Sequence, residues 1–289
     1  MTEVWHAHMN RVSLENTANF QMAPSLHPAM PITEARIICG WTLTAETTPW
    51  YNDTADHITN EYGVATEVVS LPNPDRPRLA EAVKCIKDSV RDPESTLFIA
   101  HSLGFTSMVH YAVSEWAHDP KHFRIGGLVS VAGNVTPVGF DEIYDHFIPQ
   151  TPRSSRAAVR LMRYLRITDR AAQTFGLLYG QHDPFVSMGH ADLISMILRI
   201  PIAVDPQAAH FSEEHESNGV RIPKCTENRL LKSMIGRMIM DSRPPSLENK
   251  LLTPAMPAHY MRYRGRDMIA GPNVLLRPGQ ERRGYPAIM

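Results

Sequence analysis

Read as a pattern of apolar and polar positions, the chain alternates between two periods. Short apolar runs at 35–39, 64–71, 96–99, 125–131, 175–179 and 200–204 are separated by stretches whose apolar residues recur every three or four positions. The runs have the length of strands, and the stretches between them have the spacing of amphipathic helices. Helices are expected over 49–62, with Pro49 in the first turn, and over 78–90, where Leu79, Val83 and Ile86 share a face. Further helices are expected over 105–116, where Met108, Val109, Ala112, Val113 and Trp116 recur at helical spacing, and over 189–198 and 225–240. Residues 138–170 read as a connection with helical character, and Pro72 to Pro77 as a stiff turn. Strands alternating with helices predict an α/β protein: a mainly parallel sheet in a three-layer α/β/α sandwich.

The flanks lack this pattern. Residues 1–33 show no sustained period, include Pro24, Pro28 and Pro31, and read as a flexible leader; His6 and His8 there read as surface residues rather than a metal pair. Residues 242–289 are rich in Pro and Arg and read as a basic, partly disordered tail. The part between them, 34–241, is expected to form one domain, and a 43% hydrophobic content over 289 residues suffices for its core.

Charge and cysteine usage remove several function classes. A net charge of −1 argues against a chain built as a whole to bind polyanions. The charge is uneven: residues 226–289 hold 11 Lys/Arg against 5 Asp/Glu, a net of +6, which leaves −7 on the remainder. Cys39, Cys85 and Cys225 are widely spaced with no CxxC pair, so neither a disulfide framework nor a zinc site is suggested. A reducing compartment fits, and with no run near the roughly 20 apolar residues of a membrane span and no signal-peptide core, the expected location is the cytoplasm. GxGxxG and GxxxxGK[ST] are both absent, so nucleotide binding lacks its main signal.

The chemistry concentrates at strand ends. Thr96-Leu-Phe-Ile-Ala-His-Ser-Leu-Gly104 passes from an apolar run through a turn into a helical pattern, with Ala100 and Gly104 two residues either side of Ser102. That is the context of a nucleophile elbow, which needs small residues at those positions. It equally fits a strand-to-helix connection with Ser102 as an N-cap. Asp183 follows the run ending at Tyr179, in a loop bounded by Gly180 and Pro184, and His210 follows the last run; as alternatives, Asp183 could initiate a turn and His210 could be a surface residue. The order Ser, Asp, His at strand ends matches a nucleophile whose proton is taken by an imidazole that a carboxylate orients. Backbone N–H groups of Leu103, directly after the serine, and of Trp41, in the loop after the first strand, are the expected oxyanion donors.

These segments resemble the small serine hydrolases of the YdeN-like, retinoblastoma-binding-protein-like group of α/β-hydrolases. The resemblance is carried by Cys39-Gly40-Trp41 with Trp50, Leu71-Pro-Asn-Pro74, Pro77-Arg-Leu79, Ala100-His-Ser-Leu-Gly104, Gly126-Gly-Leu128 through Ala132-Gly133, Asp183-Pro-Phe-Val186 and Ala209-His-Phe211. It spans roughly residues 35–240, and its triad falls on Ser102, Asp183 and His210. It implies a cofactor-free, compact α/β-hydrolase with no large lid, acting on small esters or related acyl compounds. Two positions depart from the pattern: Cys39 stands where a His usually precedes the glycine, and Ala100 where Gly is commoner. Cys39 falls where the fold supplies backbone donors and reads as a buried, inert thiol.

The expected function is therefore a metal-independent serine hydrolase working through an acyl-Ser102 intermediate on a small-molecule ester or acyl substrate. The alternative is a catalytically weak or inactive protein-binding module on the same fold, with a protein partner held by basic segments. Two such segments are visible. Arg153, Arg156, Arg160, Arg163, Arg166 and Arg170 recur every three or four residues and read as a solvated helix face with Leu161, Met162 and Leu165 turned inward. Tyr260 to Arg266 interleaves aromatics with Arg and reads as basic tail rather than a nucleic-acid site.

Overall fold

The runs with least polar content lie at the centre of the sheet. In a computed structural model, which describes residues 30–73, 76–135, 155–217, 219–243 and 262–263, strands β3 (Thr96–His101), β4 (Gly127–Val131) and β5 (Thr174–Gly180) are buried at every position. Strands β2 (Ala65–Val69) and β6 (Ile202–Asp205) lie outside them and are only partly buried. With β1 (Glu34–Ile38), they form a parallel sheet in the order β2-β1-β3-β4-β5-β6. Covered on both faces, such a sheet requires near-continuous apolar strands in its middle.

Period-two alternation divides the core. Phe98 and Ala100 of β3 face one cluster, with Ile38, Leu128, Leu177 and Tyr179. Leu97 and Ile99 face the other, with Ile37, Cys39, Val129 and Leu178. The first cluster is closed by helices α2 (Leu79–Ser89), α3 (Leu103–His118), α4 (Ser155–Ala171) and α5 (Met188–Leu198) through Ile86, Met108, Leu165 and Ile194. The second is closed by α1 (Pro49–Tyr62) and α6 (Arg229–Ser242) through Trp50, Ile58, Leu231 and Ile235. Crossover handedness explains the division. From β1 the chain moves outward to β2, then returns past β1 to β3 and proceeds to β4, β5 and β6. Right-handed connections put α1 on one face and α2 to α5 on the other.

Several boundaries differ from the sequence reading. Helix α6 starts at Arg229, not 225, because the Asn228 side chain accepts from the Leu231 N–H at 2.9 Å and caps it. Strand β6 starts at Ile202, not 200: the Ile200 N–H bonds Ser195 O at 3.2 Å, closing α5, and Pro201 has no N–H to give. In α2, Ala82 is buried with Ile86, while Leu79 and Val83 are only partly covered. The hairpin β7 (His215–Ser217) and β8 (Val220–Ile222) has no counterpart in the apolar pattern.

The flanking readings fall largely outside the described residues, namely 1–29, most of the tail (244–261 and 264–289) and 136–154 of the connection. The parts that are described touch the domain. Ile32 is buried, and its N–H bonds the Ser242 hydroxyl at 3.0 Å. The pair Arg262–Tyr263 forms a short strand, β9, antiparallel to the start of β5. On α4, Arg160, Arg163, Arg166 and Arg170 are exposed, Leu165 is fully buried, and Leu161 and Tyr164 pack partly against the core; Arg153 and the Arg156 side chain lie outside the described residues.

Ile99 sits between β1 and β4, paired with Ile37 and Val129, with no exposed surface. Ile99→Ala should cost about 2–5 kcal/mol of unfolding free energy. Urea denaturation checks this, and a loss below about 1 kcal/mol would contradict the central placement of β3.

Candidate active site

Strand β1 has β2 on one side and β3 on the other, and the chains leaving β1 and β3 go to opposite faces. That divergence opens a crevice beyond the C-terminal ends of the two strands. Ser102 lies there, between β3 and α3, with φ 51° and ψ −121°. An L-residue rarely adopts this backbone, and the surroundings enforce it. The Ser102 N–H bonds Val131 O at 2.9 Å, and Phe105 N–H bonds Ser102 O at 3.0 Å. A Cβ at Gly104 would lie 2.6 Å from Ile38 O and 2.7 Å from Cys39 O, so only glycine lets α3 start this close to β1. Ala100, two residues before the serine, is fully buried between Ile38 and Ser130 on the neighbouring strands.

Two further loops converge on Ser102. The loop after β5 brings Asp183, whose Oδ1 accepts from the N–H groups of Phe185 and Val186, each at 2.8 Å. The loop after β6 brings His210. Its Nδ1 lies 2.8 Å from Asp183 Oδ2, and its Nε2 lies 2.9 Å from Ser102 Oγ. A carboxylate can only accept, so neutral His210 carries its proton on Nδ1 and accepts the serine hydroxyl at Nε2. The two loops meet because residue 180 is glycine: a Cβ there would lie 1.9 Å from Ala209 O and 2.6 Å from Ala208 O. The His182 N–H then bonds Ala208 O at 3.0 Å, and the Gln181 N–H bonds Asp205 O at 2.9 Å. Phe185, 43% exposed, stands edge-on to the His210 ring with centroids 5.1 Å apart, making an apolar wall beside it.

On the β1 side, Gly40 presses the loop carrying Trp41 against the serine, since a Cβ at Gly40 would lie 3.1 Å from Ser102 Cβ. Leu103 opens α3, where backbone N–H groups have no intrahelical acceptor and the helix end is electropositive. Cys39 is fully buried, its Sγ 3.9 Å from Ser70 Oγ, and burial pushes its thiol up to about 12. It is neutral at physiological pH and packs in the cluster on the α1/α6 side of the core.

Beneath the site lie groups to which the sequence alone assigns no role. His101, the last residue of β3, is completely buried. Its Nδ1 lies 2.7 Å from Tyr51 Oη, and its Nε2 lies 2.8 Å from His210 O. Tyr51 Oη also accepts the Gly40 N–H at 3.1 Å, and the neighbouring Trp50 Nε1–H donates to Phe211 O. Burial first, and the His210 charge second, hold the His101 imidazole well below its usual range, so it is neutral. The available signal was a titratable residue closing an otherwise apolar strand. Among the described residues, no three His, Cys, Asp or Glu side chains are grouped as a metal site, and no helix is long and apolar enough to cross a membrane.

Sheet order, elbow and converging loops define an α/β-hydrolase fold. The structure is similar to the ydeN gene product from B. subtilis, at 15% identity and a TM-score of 0.55, covering 71% of this chain and 98% of that one. It is also similar to a protein described as a YdeN-like hydrolase from Pectobacterium atrosepticum (14% identity, TM-score 0.47, 73% of this chain and 94% of that one). A third likeness is to a monoacylglycerol lipase from Paleococcus ferrophilus (14%, 0.46, 75% and 97%). No curated protein matches the chain in sequence. Residues 36–220 match the sequence profile of the serine hydrolase family, and the chain belongs to that family.

Two outcomes follow from this geometry. Gly180→Ala should push the Ala208–Ala209 backbone away and part Ser102 from His210 to beyond about 3.5 Å in a crystal structure of the variant; retention of the 2.9 Å contact would refute the role given to Gly180. Cys39 should resist iodoacetamide at about pH 8 in the folded protein and react once denatured, since only thiolate is nucleophilic. Alkylation of folded protein at the denatured rate, read by peptide mapping, would contradict its burial.

Proposed function

We propose that the protein hydrolyses small esters or related acyl compounds through an acyl-Ser102 intermediate, with Asp183, His210 and Ser102 as its triad. The single observation that carries the reading is the unbroken hydrogen-bonded line from Asp183 Oδ2 through both ring nitrogens of His210 to Ser102 Oγ. In this reading Ser102 Oγ attacks the acyl carbon while His210 Nε2 takes its proton. Asp183 fixes the tautomer and stabilises the imidazolium. The tetrahedral oxyanion is received by the N–H groups of Leu103 and Trp41; loss of one such donor typically lowers kcat by about 10²–10³. Collapse breaks the bond to the leaving alcohol, which departs with the proton from His210. Water, deprotonated by His210, then attacks the acyl-enzyme, releasing the carboxylic acid and restoring Ser102.

A serine hydroxyl is unreactive unless a base stands within hydrogen-bond reach, so the reading is tested by covalent capture. A fluorophosphonate should give one adduct, mapped to Ser102, on the full-length protein. Ser102→Ala should abolish it, and His210→Ala should slow it by at least about 10³. Asp183→Asn should also slow it strongly while leaving the fold intact by circular dichroism, because an amide that donates to Nδ1 imposes the wrong tautomer. A folded wild type that gives no adduct, or an adduct elsewhere, would overturn the mechanism.

A further inference from the structure

Beneath the three side chains at the site runs a buried hydrogen-bond chain whose direction is fixed at both ends. The Gly40 N–H can only donate, so Tyr51 Oη accepts from it at 3.1 Å. The His210 carbonyl can only accept, so the His101 nitrogen 2.8 Å from it, Nε2, carries a proton. In a neutral imidazole the other nitrogen is then an acceptor, and the Tyr51 hydroxyl donates to Nδ1 at 2.7 Å. Every donor in the chain has its acceptor and every bond runs the same way, the arrangement in which successive bonds reinforce one another. Neither side chain has exposed surface. A charged His101 would break the chain, because Nδ1–H would then meet the Tyr51 hydroxyl, which would be accepting from Gly40 as well and would lose the acceptor for its own proton.

The ends of the chain matter more than its middle. Gly40 immediately precedes Trp41, the expected second oxyanion donor, and packs against Ser102. His210 supplies the ring that contacts Ser102 Oγ. The two loops come from β1 and β6, strands separated in the sheet by β3, β4 and β5. We propose that Tyr51 and His101 are positioning residues for the hydrolysis, locking the oxyanion loop at Gly40 to the histidine loop at His210 so that both stay in register with Ser102. The proposal rests on the triad reading given above. Since an error near 1 Å in such a constellation can cost about 10² in rate, a link between the two loops is directly relevant to turnover.

The test is a double-mutant cycle on the full-length protein, read by fluorophosphonate labelling of Ser102 and by kcat and KM on a chromogenic short-chain ester. Tyr51→Phe removes one hydroxyl at constant shape. It should lower kcat and the labelling rate by about tenfold or more with KM within about twofold, the mark of an interaction realised in the transition state. His101→Leu should do at least as much. His101→Gln, whose amide can still donate towards the His210 carbonyl, should recover part of the loss. If the chain acts as one unit, Tyr51→Phe combined with His101→Leu should be no worse than His101→Leu alone, rather than the product of both losses. All rates are taken well below each variant's thermal midpoint, so a role confined to stability would appear as a lower midpoint with unchanged kcat. That outcome, or multiplicative losses in the double variant, overturns the relay while leaving the triad reading in place. A wild-type protein that is not labelled at Ser102 overturns both.

Discussion

The backbone of Ser102 is the constraint on which the rest depends. A residue at φ 51° and ψ −121° costs on the order of 1–3 kcal/mol relative to a relaxed one, and the one local bond at the turn, Phe105 N–H to Ser102 O, is not the only compensation. Further compensation comes from long-range structure: the bond from Ser102 N–H to Val131 O on the next strand, and a helix start that fits only because Gly104 has no side chain facing Ile38 O and Cys39 O. The strained turn is therefore a property of three adjacent strands. It puts the serine oxygen at the electropositive head of a helix.

Strain recurs at the same end of the sheet. Among the described residues, five of the six non-glycine residues with positive φ lie in segments leaving strand C-termini: Thr42 after β1, Asn73 after β2, Ser102 after β3, Ala132 after β4 and Phe211 after β6. Each strand is regular and parallel-paired, so the departure from regularity is confined to where it exits. A rigid parallel sheet absorbs that cost because its central strands are paired on both sides. The loops can then be bent sharply towards one crevice, and glycines at 40, 104 and 180 let backbones approach where any Cβ would collide or crowd.

Much of this is legible in sequence, and the remainder has identifiable reasons. Central strands announce themselves as apolar runs because both faces are covered, and the elbow announces itself because Ala100 and Gly104 flank Ser102 at fixed spacing. Asp183 and His210 stand out because each follows a strand in a short loop. The apolar pattern alone sets the start of α6 too early, and Asn228, directly before Arg229, Leu230 and Leu231, is the cap signal that corrects it. The β7–β8 hairpin is invisible because its three-residue strands, HES and VRI, are too short to show a period. Ile32 looks like leader because its partners are distant in sequence: its N–H bonds the Ser242 hydroxyl, 210 positions away. Tyr51 reads as one more aromatic on a buried helix face, and only folding brings its hydroxyl to His101, 50 positions on.

That last pairing bears on why polar groups are tolerated in the core at all. Tyr51 and His101 lie among Trp50, Ile99 and Phe211, where an apolar pair of similar volume would avoid the cost of desolvating a hydroxyl and an imidazole. Satisfied hydrogen bonds recover much of that cost, but each adds only about 0.5–1.5 kcal/mol net, so stability alone gives little reason to prefer them. What an apolar pair lacks is direction. Two hydrophobic side chains would let the Gly40 loop and the His210 loop slide over a smooth surface. The Tyr51–His101 chain fixes one amide and one carbonyl to within hydrogen-bond tolerance, and the Trp50 indole holds the next carbonyl, Phe211 O, in the same way. Helix α1 thus has two jobs, closing one face of the sheet with Ile58 and presenting at its first turn the two aromatic donors that orient the loops above it.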